Sequence, residues 1–317
     1  MNIDLNVLDE SERIIYALRS LYMRRGYTHY RMSKFEEYDL YSRNKSFLVS
    51  DEIITFTDTD GKLMALKPDV TLSIIKNTRD DEEVKRLCYN ENVYRVTGGV
   101  RAFREIMQTG LECIGGVEEK EQCEVVELAL LSLKELTDNY ILEISDLNIL
   151  EAFIRELRLD DEETGEILKL SQNKNVHEIM DTCKRCGADV NASAALAELM
   201  RISARPNEAL EKLKALCKSY ILRERHRKLE RMLKSFEGTA VFDHIRLDFS
   251  LSGEMNYYNG IVFKGYIEGI PESVLSGGQY DRLMQKLGRI SRAIGFAVYL
   301  DRLERLAGSE KGGEALC

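Results

Sequence analysis

The stretch Gly253-Glu254-Met255-Asn256-Tyr257-Tyr258-Asn259-Gly260-Ile261-Val262-Phe263, followed closely by Ser276-Gly277-Gly278-Gln279-Tyr280-Asp281, decides how this chain folds. Both pieces read as strand ends in which glycine lets backbone come close to a ligand while tyrosines wall the space. A small-molecule pocket is written this way. The same residues also suit a plain pair of β-hairpins turning at Asn-Gly and Gly-Gly, so the choice falls to the rest of the chain.

Working outward, 317 residues with 44% hydrophobic content can bury a full core, enough for one large domain with an insertion or for two domains. The formal net charge of −9 and sequence pI near 5.3 argue against a broad phosphate-binding face, because nucleic-acid affinity rests on Lys and Arg displacing counterions. Only a local basic patch is left open. Met1-Asn2-Ile3-Asp4-Leu5 does not read as a basic-flanked apolar leader, and there is no uncharged apolar window of about 18 residues, so the expected setting is the cytoplasm, without membrane contact. Seven cysteines, an odd number, suit reduced thiols. Only Cys183-Lys184-Arg185-Cys186 has ligand-like spacing, and neither His177 nor Cys217 completes a recognised set, so these are read as helix-surface thiols and no metal is expected.

In chain order, Ser11 to Arg25 spaces Ile14, Ile15, Leu18, Leu21 and Tyr22 as an amphipathic helix. Tyr27 to Leu40 reads as an extended piece leading into a short helix or loop. Ile53 to Thr57 and Leu63 to Leu66 flank Asp58-Thr59-Asp60-Gly61 as a hairpin, after which Asp69 is placed to cap a helix through Leu72, Ile74 and Ile75. Strands are expected at Cys88 to Val96 and Gln108 to Ile114, joined by a loop bearing Arg101 and Arg104, then a helix over Glu118 to Asp138. From Leu147 to about Phe236 the pattern is all-helical, with Leu210, Leu213, Leu216, Tyr220 and the basic run Arg223 to Lys228 on one long helix. Strand character returns at Ala240 to Leu251 and at Ile261 to Tyr266, and Ala293 to Leu306 is a strand-to-helix passage.

The order of these pieces resembles histidyl-tRNA synthetase. Leu66-Lys67-Pro68-Asp69-Val70-Thr71 is similar to its LRPE-x-T signature, Tyr94-Arg95 through Gln108 to Gly115 to its motif 2, and Asn256 to Gly260 with Phe263 to its histidine loop. Ser276 to Asp281 resembles its GG-R-YD element, and Gly295 to Leu303 its motif 3. The resemblance implies an α+β fold, the class II aminoacyl-tRNA synthetase-like catalytic fold, with an antiparallel sheet flanked by helices. Residues 1–146 and 237–317 would form the core, 147–236 a helical insertion, with no anticodon-binding domain.

The same resemblance implies a histidine pocket. Asp69, in place of the family's glutamate, would pair with the ligand ammonium. Thr71 and Gln108 would add hydrogen bonds, Glu112 would accept from the imidazole N–H, Tyr257, Tyr258 and Tyr280 would enclose the ring, and Arg95 would take the carboxylate. The catalytic half departs from the family. Thr97 stands where an acid is expected, Gly253 and Gln279 where arginines are expected, and Tyr299 where a small residue faces the nucleotide, while Arg302 is kept. One positioned electrostatic donor is typically worth about 2.7–4 kcal/mol, so losing several implies no catalytic residues and no cofactor. A synthetase-like body of this kind resembles the regulatory subunit of the short-form ATP phosphoribosyltransferase. That resemblance implies a non-catalytic role in the first step of histidine biosynthesis, a short catalytic partner, a homodimer within a hetero-octamer, and no tRNA. A minimal amino-acid-activating enzyme and a stand-alone histidine-binding protein remain the alternatives.

Overall fold

A computed structural model describes residues 7–44, 52–97, 102–173, 175–251 and 257–303. Helix α1 (Glu10–Arg24) starts at a capping box in which Asp9 accepts from the Glu12 amide and the Glu12 side chain accepts from the Asp9 amide. It leads into β1 (Thr28–His29) and β2 (Phe35–Glu37), then a short α2 (Tyr38–Ser42). Strands β3 (Thr55–Thr57) and β4 (Leu63–Leu66) turn at Gly61, whose φ of +80° is one that glycine adopts freely. With β2 they make a three-stranded sheet in the order β2-β4-β3.

Helix α3 (Thr71–Asn77) precedes the long hairpin of β5 (Lys85–Thr97) and β6 (Ala102–Gly115), then α4 (Glu119–Leu136) and β7 (Tyr140–Asp146). Residues 147–234 hold α5 (Leu147–Glu156), α6 (Asp161–Gln172), α7 (Val176–Arg185), α8 (Val190–Met200), β8 (Ser203–Ala204), α9 (Pro206–Leu216) and α10 (Tyr220–Lys234). The chain closes with β9 (Ile245–Asp248), β10 (Ile261–Ile267), β11 (Leu275–Gln279), α11 (Asp281–Lys286) and β12 (Arg292–Tyr299). The main sheet has nine strands in the order β1-β5-β6-β12-β11-β10-β7-β9-β8. It is antiparallel except for the pairs β1–β5 and β7–β9.

Five expectations need correction. Cys183 is buried in α7 rather than a surface thiol, and Arg104 lies in β6, paired in register with Arg95, rather than in the loop. Residues 147–236 are not all helical, because the two-residue β8 pairs with β9 at the edge of the sheet. The single long helix is two, since Ser219 caps α10 by accepting from the Leu222 amide and Cys217, at ψ 86°, leaves the helical region. The strand expected over Ala240 to Leu251 shrinks to β9, preceded by a 3₁₀ turn over Phe242–His244.

The sheet divides the core. On β6, side chains alternate between faces, so Leu111 and Cys113 join α1, α4 and the helices of 147–234 in the larger cluster. Ile106 and Ile114 point the other way, into a smaller cluster with α3, α11 and Tyr41, Ala65 and Tyr89. Close approach between β11 and β12 rests on Gly277. An added Cβ there would sit 2.4 Å from both the Gly295 carbonyl and the Phe296 Cβ. Gly277→Ala should therefore destabilise the chain by roughly 1–3 kcal/mol, read as a lower denaturant midpoint at unchanged slope.

Candidate functional site

The site is built on the face of β6 that looks toward α3. Period-two alternation brings Gln108, Gly110 and Glu112 to this face, and all three are buried. Glu112 is 2% exposed, and its carboxyl is held from two sides. Thr71 Oγ1, in the first turn of α3, donates to Oε1 at 2.7 Å, and the Tyr280 hydroxyl, at the β11–α11 junction, donates to Oε2 at 2.6 Å. Burial raises the Glu112 pKa to about 8, against the pull of those two hydrogen bonds.

Backbone without side chains keeps this space open. Gly295 on β12 lies directly opposite Glu112, and a Cβ there would fall 1.8 Å from Oε2. At Gly110 a Cβ would meet the Tyr89 hydroxyl at 2.6 Å, and at Gly278 the Tyr258 ring at 2.9 Å. The aromatic wall stands over this floor. Tyr257 meets Tyr258 edge-on at 4.7 Å between ring centroids and Tyr280 at 5.8 Å. Burial and the neighbouring Asp69 and Glu112 hold the Tyr257 phenol well above its ordinary pKa, so it stays neutral.

Asp69 and Arg95 form the second part. Asp69 Oδ1 accepts from the Leu72 amide at 2.8 Å, serving the start of α3 as the sequence suggests, while Oδ2 lies 3.7 Å from an Arg95 guanidinium nitrogen. Arg95 is itself anchored, its Nε donating to the Pro68 carbonyl at 2.6 Å. Burial pushes the Asp69 pKa up and Arg95 works against it. The structure thus brings Thr71, Glu112, Tyr257, Tyr258 and Tyr280 into one cluster, sets the Asp69–Arg95 pair beside it, and places Gln108 along the same strand face.

At the other end of that face Tyr299 pairs in register with Gln108. Its hydroxyl is 2.8 Å from Ser276 Oγ, and the Arg302 guanidinium lies over its ring at 4.3 Å while bonding to Ser273. Gln279 faces the opposite side of the sheet, where its Nε2 donates to Asp281 at 2.5 Å and its Oε1 accepts from Gln122 of α4 at 3.3 Å. Its neutral amide therefore does not border the Glu112 space. The Thr97 side chain, the loop 98–101 and Gly253 lie outside the described residues, as does the run 304–317.

The family model for histidyl-tRNA synthetase matches residues 6–303. The chain belongs to that family. It is 28% identical over 311 residues to an ATP phosphoribosyltransferase regulatory subunit of Clostridium botulinum, covering 95% of this chain and 71% of the relative. Among solved structures, an ATP phosphoribosyltransferase regulatory subunit/histidyl-tRNA synthetase from Bacillus halodurans superposes with a TM-score of 0.80 at 22% identity, over 95% of this chain and 80% of that one. A chain of the ATP phosphoribosyl transferase (HisG:HisZ) complex from Thermotoga maritima does so with 0.71 at 18%, over 93% and 98%. These two likenesses speak to the fold, and they agree with the synthetase-like architecture expected from the motif order.

Tyr41 and Tyr89 escaped the sequence reading. Tyr89 is buried opposite Gly110, and Tyr41 is fully buried near Asp69 with a hydroxyl that has no hydrogen-bond partner among the described residues. Neither carries a local signal, because β5 alternation and a five-residue helix give no hint of what lies across the sheet.

A carboxyl whose folded pKa is raised above its unfolded value contributes stability below the unfolded value and loses it as pH climbs through the folded one. For Glu112 that window runs from about 4.5 to about 8. Glu112→Gln should flatten the decline, so the variant gains on the parent across this window by on the order of a few kcal/mol. Denaturant melts at pH 5 and pH 8 check this, and equal differences at both would refute it.

Proposed function

We propose that this chain is the regulatory subunit of a short-form ATP phosphoribosyltransferase, non-catalytic in itself, required for activity of a short catalytic partner and for histidine feedback on the first step of histidine biosynthesis. The expected assembly is a homodimer within a hetero-octamer, in the cytoplasm. No described helix is long and apolar enough to cross a membrane. The observation that carries the non-catalytic half is the Tyr299 ring, set on the site face between Ser276 and Arg302. A guanidinium stacked on that ring is not free to meet a nucleotide phosphate, and a phenol fills ground where a small residue would leave a slot.

The ligand half rests on donor and acceptor matching. In this reading Glu112 accepts from an imidazole N–H, Asp69 takes the ammonium and Arg95 the carboxylate, with Thr71 and Gln108 as further hydrogen-bonding groups and Tyr257, Tyr258 and Tyr280 around the ring. Each Glu112 oxygen already accepts one hydroxyl and has a further lone pair for an imidazole N–H, a bond that phenylalanine cannot make. Phenylalanine should therefore fail where histidine binds.

Two measurements test the proposal. The lone chain should show no histidine-dependent ATP–pyrophosphate exchange, while adding it to a short phosphoribosyltransferase should copurify and raise activity that histidine then lowers. Exchange near ordinary synthetase rates would select the minimal enzyme instead, and failure to bind any such partner would select a stand-alone binding protein. By calorimetry, Glu112→Ala should weaken histidine binding by roughly 10- to 100-fold, whereas Cys113→Ala, whose side chain lies on the other face of β6, should change it little. Histidine affinity must also shift on partner binding by the factor by which histidine shifts partner affinity. Absent heat with histidine, or equal heat with phenylalanine, would retire the pocket.

A further inference from the structure

Away from the Glu112 face, α5, α10 and α11 enclose a cleft of about 470 Å³. Its lining carries four arginines, Arg155, Arg158, Arg225 and Arg282, against two glutamates, Glu151 and Glu156, in a chain whose net charge is −9. The glutamates offset only part of the arginine charge. Glu151 is committed to Arg282 at 2.5 Å and lies 4.0 Å from Arg155. Arg158 and Arg225 have no ion pair within 4 Å among the described residues.

We propose that this cleft is a binding site for a small phosphate-bearing anion. Guanidinium groups match phosphate oxygens two at a time, and here the two without an ion pair, Arg158 after α5 and Arg225 in the second turn of α10, come from different elements, with the Glu151-paired Arg282 of α11 beside them. Cations on several sides suit an anion with more than one charged group, such as a diphosphate, better than a single carboxylate. The cavity is of the size that takes a small molecule, and side-chain donors at Asn148 and Gln285 line it between the charges. The backbone places one of these guanidiniums. Arg158, at φ 57°, is the only described non-glycine residue with a positive φ. It is the residue that ends α5 in the left-handed conformation, a position usually given to glycine, and a side chain kept there carries a modest strain. A glycine would hold this turn with less strain but could not bring a guanidinium to the cleft.

The site does not depend on the histidine reading, and its test needs neither histidine nor a partner. Titration calorimetry of the full chain at fixed ionic strength, with inorganic phosphate, pyrophosphate and citrate, should give saturable binding strongest for pyrophosphate. Arg225→Gln should weaken pyrophosphate about tenfold or more. Arg158→Gly should do the same while folding at least as stably as the parent, so a loss there cannot be blamed on unfolding. Arg227→Gln, an exposed residue paired with Glu224 outside the cleft, should bind as the parent does. No saturable binding of phosphate or pyrophosphate would overturn the proposal. So would equal weakening in all three variants, which would mean diffuse attraction, or a clear preference for citrate, which would assign the cleft to carboxylates.

Discussion

A carboxyl taken out of water needs donors around it, and Glu112 dictates where its donors must come from. One is the first turn of α3 and the other is the junction of β11 with α11. Both elements must therefore close on β6, and β12 between them can pass only where it lacks a side chain, at Gly295. Gly110 and Gly278 repeat this solution on the flanking strands. The smaller core packs around this arrangement and contributes Tyr280 from the β11–α11 junction, Val70 just before α3, and Leu72, Ile74 and Ile75 from α3. Even the cap of α3 by Asp69 belongs to the same geometry, since a helix anchored at Leu72 presents Thr71 to the carboxyl one residue earlier.

The two ends of this strand face have different characters. Near Glu112 the space is defined by glycines and by hydroxyls aimed at an acceptor, a set suited to an imidazole N–H or another neutral donor. Near Gln108 the equivalent space holds Tyr299, and the nearby cation at Arg302 is spent on the ring and on Ser273. Along one strand face, then, glycines border the Glu112 end and a phenol ring occupies the Gln108 end. Fold alone does not decide what such a face binds. The side chains along the strand face are where such a question is put to experiment.

The order of motifs made the fold legible: a hairpin ending in Lys67-Pro68-Asp69, a long strand pair, a glycine-rich strand with Tyr280, and a closing strand with Gly295 occur in one sequence that few architectures accommodate. The start of α3 was legible because Asp69 marked it, whereas the capping box at Asp9 that starts α1 went unread. The break between α9 and α10 was not legible, because Leu210, Leu213, Leu216 and Tyr220 keep helical spacing across it, and only the capping hydroxyl of Ser219 marks the restart. Strand β8 is two residues long, too short for any periodicity to show. The misplaced significance of Gln279 has a similar root. Alternation within Ser276 to Tyr280 sends Tyr280 and Gln279 to opposite faces, so a residue adjacent to the site in sequence serves the α4 side in space.

The Asp69–Arg95 pair shows how two opposite charges can be held out of water together. Burial alone would drive Asp69 toward its neutral form, and an unpaired guanidinium would be still harder to bury. At 3.7 Å each group instead offsets part of the other's desolvation, while Pro68 and Leu72 fix both in place through backbone bonds. On the histidine reading, an arriving amino acid sets its ammonium against the carboxylate and its carboxylate against the guanidinium, so one loose internal pair gives way to two external ones. Because Asp69 and Arg95 are already oriented, the ligand need not order them, and binding free energy that would go into organising the site is kept as affinity. A ligand carrying only one of the two charges would separate the pair and satisfy half of it. The shortness of Asp69 relative to glutamate fits this economy, since it lets the carboxyl serve the α3 amide and the guanidinium from one position.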